Sequence, residues 1–377
     1  MPSAGYTKKK NKKRPILRLF LSLLSLVILT VIAVSLIKGG GKLDLSGLKT
    51  LVGADRSAVS AFYFDDGKSG AFADLDGAFA AVGPLGVQVF DNSGNEVAKE
   101  TVAIKDPTMC SEGGSAAAYD LGGTTLMLLD KSGIKAKITA SDSIISASVN
   151  ADGWCAVCSQ ESGYKGLVVV YDASGNPVYK WHSGSGYVLS ADVTDDNKSL
   201  AVLTLTGSGS RVVFFDLDST DEKASYTQDG ELLLEVKFWS DGTLAAIGKD
   251  GLYHVDQSGK ELSPFDYSGQ FLNHYDLDGN DFSVLCVDDY QVGGQGTIET
   301  VGKDGKVISS VDGECTSVSA GGDYVAVLQQ DSLTIYDKSL KILKSYQGIS
   351  GASGVLMRSD GEALVTGEGS AVVYSSK

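Results

Sequence analysis

From about residue 58 to the C terminus, short apolar runs of four to six residues alternate with small polar turns, and helical periodicity is almost absent. One unit sets the pattern. Val168-Val169-Val170-Tyr171-Asp172 reads as a strand, Ala173-Ser174-Gly175-Asn176 as a tight turn, and Pro177-Val178-Tyr179-Lys180-Trp181 as the returning strand. Val87–Asp91, Leu126–Asp130 and Leu252–Asp256 repeat its first strand and each runs to a glycine. Val212–Asp216, Ile298–Gly302, Leu333–Asp337 and Ala371–Ser375 are looser copies. A second marker recurs independently. Asp76-Gly77, Gly113-Gly114, Asp152-Gly153, Asp196-Asn197, Asp241-Gly242, Asp278-Gly279, Gly321-Gly322 and Asp360-Gly361 each precede a small apolar strand, as in Ser199-Leu200-Ala201-Val202-Leu203. The second residues of these turns lie 37, 39, 44, 45, 37, 43 and 39 positions apart.

Two markers in one phase, eight times each, predict repeats of about 40 residues with four strands, a to d: the blade of a β-propeller. Asp-Gly turns join a to b and Asp-x-Ser-Gly turns join c to d, because Gly accepts the left-handed backbone and Asp bonds its own turn. The expected fold is therefore all-β, an eight-bladed β-propeller over residues 58–377. Seven blades plus a separate N-terminal hairpin is the alternative. The chain ends on a strand c, Ala371–Tyr374, with no strand d after it. A spare strand, Val59–Phe64, stands ahead of the first complete blade and is expected to close the ring as the missing strand of the last one.

The first 57 residues differ in kind. A basic tail, residues 1–18, carries Lys8-Lys9-Lys10-Asn11-Lys12-Lys13-Arg14. An uncharged run, Leu19–Ile37, follows. Nineteen helical residues span roughly 28 Å, about the hydrocarbon thickness of a bilayer. This predicts one transmembrane anchor with a cytoplasmic N terminus and an extracytoplasmic body, joined by a tether over residues 38–57. A cleaved signal peptide is the rival reading. It fits less well, since Val34-Ser35-Leu36-Ile37-Lys38 is a poor cleavage site.

Charge sharpens the division. The chain as a whole has a net charge of −15, but residues 58–377 hold 21 basic and 45 acidic residues, a net of −24. So acidic a body repels phosphate backbones and excludes nucleic acid as a partner.

The long connections, 160–166, 183–186, 207–210 and 288–296, all fall between strands b and c or between blades, hence on one face of the ring. Binding residues usually sit on such loops. The candidate binding residues are therefore Tyr164, Lys165, Trp181, His182, Tyr187, Arg211, Tyr290 and Gln291, and the competing reading makes them solvated loop residues with aromatic ends packed between blades. The spare strand would enter at the opposite, short-turn face, so the long-loop face is expected to point away from the membrane.

Candidate chemistry is thin. His182, His254 and His274 fall on separate elements and assemble no Ser/His/Asp or Cys/His arrangement. The five cysteines, Cys110, Cys155, Cys158, Cys286 and Cys315, are read as buried free thiols. Cys155 and Cys158 share a strand, where side chains three apart point to opposite faces. Asp276–Asp281 has part of a calcium loop's spacing but lacks its Gly at position six and Glu at twelve. No metal or cofactor is expected.

The stretch Val169–Gly175 with Trp181 resembles quinoprotein-like repeats, and the Asp-Gly turn resembles tryptophan–aspartate-type blades. From the basic anchor to the C terminus, the chain resembles an uncharacterised family of single-pass, membrane-anchored propellers from Gram-positive, clostridia-like bacteria. Its distinctive pieces here are Glu161–Gly166, Ser185–Leu189 and Val355–Gly361. That resemblance implies fold and location and carries no activity. The functional expectation is a surface binding or scaffold module, holding a protein, peptide or glycan without catalysis. The alternative is an enzyme with a site at the channel mouth, a quinone-dependent oxidoreductase or a polysaccharide lyase. Three Trp in total and an acidic body suit neither.

Overall fold

The structure, a computed structural model, describes residues 58–64, 70–290, 296–367 and 369–377. The anchor expected at 19–37, the tail before it and the tether after it lie outside the described residues. Among the described residues no helix is long and apolar enough to cross a membrane.

Thirty-two strands, β1 (Ala58–Tyr63) to β32 (Ser370–Ser375), form eight four-stranded antiparallel sheets among these residues. Eight blades are present, as the repeat predicts, and the seven-blade alternative falls away. Seven blades run in sequence order. The eighth is ordered β1-β32-β31-β30, so the spare N-terminal strand pairs with the last one, Phe62 opposite Ala371 and Tyr63 opposite Ser370. The strands nearest the axis are β2 (Ala71–Asp74), β6 (Pro107–Glu112), β10 (Ile144–Val149), β14 (Tyr187–Val193), β18 (Leu233–Phe238), β22 (Phe271–Gly279), β26 (Ser317–Gly321) and β30 (Ala352–Met357).

Burial follows from radial packing. A middle strand has another blade against each of its faces, so it buries most of its residues and reads as nearly continuously apolar. Cys155–Ser159 (β11) and Phe282–Asp288 (β23) are buried throughout. The outermost strands, such as Glu96–Thr101 (β5) and Ile342–Gln347 (β29), are mostly exposed.

The core is divided into eight apolar clusters, one for each interface between neighbouring blades. The interface that closes the ring is rich in phenylalanine. Phe62 meets Phe79 at 5.3 Å between ring centroids, Phe72 meets Phe79 at 5.7 Å, and Phe64 meets Phe72 at 5.2 Å. Tilted and stacked pairs of this kind add about 0.5–1.5 kcal/mol each beyond burial. The first and last segments of the propeller are thus held by more than one strand of backbone bonds.

The turns behave as their residues require. Asp172 accepts from the Ser174 and Asn176 amides, both at 2.9 Å, and Gly175 adopts φ +80°. These bonds, with one from the Asn176 side chain, hold the Asp172 carboxyl below its ordinary range. Asp91, Asp256 and Asp337 accept in the same way. One turn departs from expectation. In blade six β22 runs on through Gly279, and the left-handed residue is Asp281, with φ +59°. The Asn280 amide bonds the Gly322 carbonyl of the next blade at 2.8 Å, which extends the strand and moves the turn two residues on.

Candidate functional site

The ring has two chemically different ends. At the short-turn end, the last residues of the inner strands surround a cavity of about 520 Å³ at the mouth of the central channel. Alternation along an inner strand points every second side chain at this axis, and many of those side chains are charged. Lys237 on β18 pairs with Glu112 of β6 at 3.2 Å and with Asp278 of β22. Three blades are tied together through one ammonium. Burial pulls the Lys237 pKa down, but Asp278, Glu112 and Asp192 outweigh it and hold it well above the ordinary value. Burial pushes Glu112 up to about 7 and Asp192 to about 6, against the pull of the same lysine.

Several of these acids also serve as braces. Asp192 accepts from the Phe238 amide of the next blade at 2.7 Å, and Asp276 accepts from the Ala320 amide at 3.0 Å. Asp276 is pushed up to about 7, by burial first and by Asp278 second. Arg358, 8% exposed, bonds Asp74 at 2.8 Å, Glu362 at 3.1 Å and Asn92 at 3.3 Å, linking the last blade to the first. The fragment with calcium-loop spacing is absorbed here: Asp276 braces Ala320, Asp278 meets Lys237, and Asp281 pairs with Lys303 at 3.3 Å. No group of three or more metal-ligating side chains gathers among the described residues.

The long-loop end is built differently. Its connections expose aromatic rings and hold few charges in contact. Lys165 precedes the strand Gly166–Tyr171 (β12), and its amide donates to Ser183 O at 2.8 Å, which fixes this loop against the end of Pro177–Ser183 (β13). From that anchor its Nζ donates to the Tyr187 hydroxyl at 3.0 Å and lies 4.4 Å from the ring centroid. The bond lowers the Tyr187 phenol below its ordinary pKa. Tyr164 lies against His182 with centroids 4.4 Å apart. Four of the candidates, Tyr164, Lys165, His182 and Tyr187, therefore come together across blades three and four.

The other candidates do not join them. Trp181 turns inward and packs on Phe215 at 5.1 Å, between the same two blades. Arg211 is committed to Glu222 of the adjacent strand at 2.7 Å. Tyr290, in blade six, is 70% exposed. Gln291 lies outside the described residues. Among those described, five aromatic side chains are strongly exposed: Tyr63, Tyr164, Tyr187, Phe271 and Tyr290. By strand direction all five sit at the long-loop end.

The buried charges were missed by loop-based reasoning. Their signal lay in the inner strands, where Leu-Glu-Val-Lys-Phe and Tyr-Asp-Leu-Asp place like-facing charges two residues apart. The histidines stay apart. His254 is fully buried against Trp239 at 4.9 Å, with Nδ1 3.2 Å from the Ser263 carbonyl. Ser263 Oγ lies 3.4 Å from the same nitrogen and donates to Lys303 O at 3.0 Å.

A family model described as "Family of unknown function (DUF5711)" matches residues 54–361. The chain belongs to this family. No curated protein matches. Among solved structures, the computationally designed Ika8 protein is similar with TM-score 0.65 and 12% identity, over 85% of this chain and 99% of that one. BamB from Moraxella catarrhalis is similar with TM-score 0.58 and 14% identity, over 84% and 99%. The C-terminal WD40 domain of Sif2 gives 0.57 and 14%, over 85% and 95%. At such identities these likenesses establish the propeller fold alone.

Proposed function

We propose that this family member is a membrane-anchored, extracytoplasmic binding or scaffold module that engages a protein, peptide or glycan through its long-loop face, without catalysis. The observation that carries the reading is the placement of the strongly exposed aromatics, all at that end of a rigid ring. Aromatic side chains supply large contact area at low entropic cost and dominate interface energetics. The Tyr164–His182 and Lys165–Tyr187 pairs offer three rings, a cation and two hydroxyl groups on one patch. The uncharged run Leu19–Ile37 with its upstream basic cluster supports the anchored part. β1 starts at the short-turn end, which supports a free long-loop face.

The test is site-specific photo-crosslinking on intact cells. A photoreactive residue is placed in the full-length chain at Tyr164 or Tyr290, and as controls at Ser174 or Ser258 in the short turns. Adducts from the first pair and none from the second are expected. Adducts confined to the short-turn positions overturn the choice of face.

A further inference from the structure

Cys155 and Cys158 are fully buried within blade three, whereas Cys110, on the inner strand β6, is only partly buried, short of the burial expected for it. Burial pushes Cys110 and Cys158 up to about 12 and Cys155 well above the ordinary thiol value. Cys155 and Cys158 belong to the cores on opposite faces of blade three, so they do not meet.

The remaining two differ. Cys286 sits on β23, two residues before the strand ends at Asp288, and is 4% exposed. Cys315 lies in the connection from Val307–Gly313 (β25) to β26, and is only partly buried. Both pack into the single core cluster between blades six and seven. Cys315 is also the first cause holding the Cys286 thiol above its ordinary pKa, ahead of burial. Both positions are near the long-loop end, and Tyr290 lies two residues beyond the end of β23.

We propose that Cys286 and Cys315 are a modification site: a dithiol that thiol–disulfide exchange with a small or protein disulfide converts to a cross-link beneath the long-loop face. The accessible Cys315 thiolate attacks the oxidant's S–S bond, giving a mixed disulfide and releasing one oxidant thiol. The Cys286 thiol loses its proton and its sulfur attacks Cys315. That step forms the Cys286–Cys315 bond and expels the oxidant's second thiol. Two protons and two electrons leave the pair, and one disulfide becomes two thiols. An S–S bond of about 2.05 Å then joins two thiols that already share one core cluster. The buried, proton-retaining Cys286 makes the second step the slow one. This inference stands independently of the proposed partner.

The experiment incubates the full-length protein with oxidised glutathione, alkylates the remaining thiols under denaturing conditions, and maps peptides by mass. Loss of two alkylatable thiols, a linked 286–315 peptide and a midpoint raised by on the order of 5 °C are expected. Cys286→Ser, and Cys286→Ala as a second variant, should stop at a persistent glutathione adduct on Cys315. Cys315→Ser should lose no thiols. The proposal is overturned if Cys286 and Cys315 both stay alkylatable, if a different pair is linked, or if the wild type stops at the Cys315 adduct.

Discussion

The two ends of this ring use polar and aromatic groups in opposite ways. At the short-turn end charges face the axis, half-hidden and matched: Lys237 to Glu112 and Asp278, Arg358 to Asp74 and Glu362. At the long-loop end Tyr164, Tyr187 and Tyr290 face solvent, with few partners of their own. A buried charge costs stability unless it is paired, so the pairs at the channel mouth are best understood as ties between blades. An exposed ring costs little and has contact area to offer. The deeper pocket is therefore the framework, and the shallower face is the one with unused chemistry.

The sharpest way to break this contrast is to remove the shared cation. Lys237→Met leaves the raised carboxyls Glu112 and Asp192 without their compensating cation and should lower stability by about 3–5 kcal/mol at pH 7.5. Thermal denaturation reads it, and lowering the pH to 5.5 should restore part of the loss as those carboxyls take up protons. An unchanged midpoint would show that the channel mouth does not depend on this tie.

The unmodified protein should show a smaller effect of the same origin. Glu112, Asp192 and Asp276 have folded pKa values raised to about 7, 6 and 7. Between about pH 4 and 7 the folded chain thus keeps protons that the unfolded chain has released, and its stability falls as pH rises. Lys237, whose pKa is raised, keeps its contribution across this window and loses it only in strong base. The turn carboxylates Asp91, Asp172 and Asp256 are lowered, so their contribution is present above the usual carboxylate range and is lost in acid below it. A stability maximum near pH 5 is expected, with a midpoint on the order of 5 °C lower at pH 8. A flat or rising curve from pH 5 to 8 would contradict the burial of these groups.

Asp192→Asn is gentler. It keeps an oxygen for the Phe238 amide but removes the titrating carboxyl with the lowest of the three raised values, so the pH 5 to 8 loss should shrink by roughly a fifth. A full-sized loss would assign that slope to other groups. The smallest change should come from the other end. Tyr164→Ala with Tyr187→Ala is expected to shift stability by no more than about 0.5 kcal/mol, as surface substitutions do. The same double substitution should reduce photo-adducts at Tyr290 if the face acts as one surface. A large destabilisation would move these tyrosines from the surface to the framework.

Much of the fold was legible because repeats are read by phase. The Asp-x-Ser-Gly and Asp-Gly markers located strands c and the a–b turns, and Ala371–Tyr374 lacking a partner pointed to Val59–Phe64. The site was legible only in part. Tyr164, Lys165, His182 and Tyr187 do gather, since their loops fall at one end of adjacent blades. Trp181 and Arg211 occupy the same end of the chain's pattern but turn to Phe215 and Glu222. Loop membership says where a residue's backbone lies, and nothing about which neighbour captures its side chain.

Local pattern by itself determined the blade, its turns and the number of repeats. Alternation, turn glycines and aspartates act within a few residues of chain, so they are written in order along it. Only the tertiary structure decided which charges meet across the axis and which thiols share a core. Glu112, Lys237 and Asp278 are separated by 125 and 41 positions, and closure of the ring alone brings them within reach. Packing of blade six on blade seven places Cys286 and Cys315 in one core, and the tyrosines of the long-loop face stay outside it.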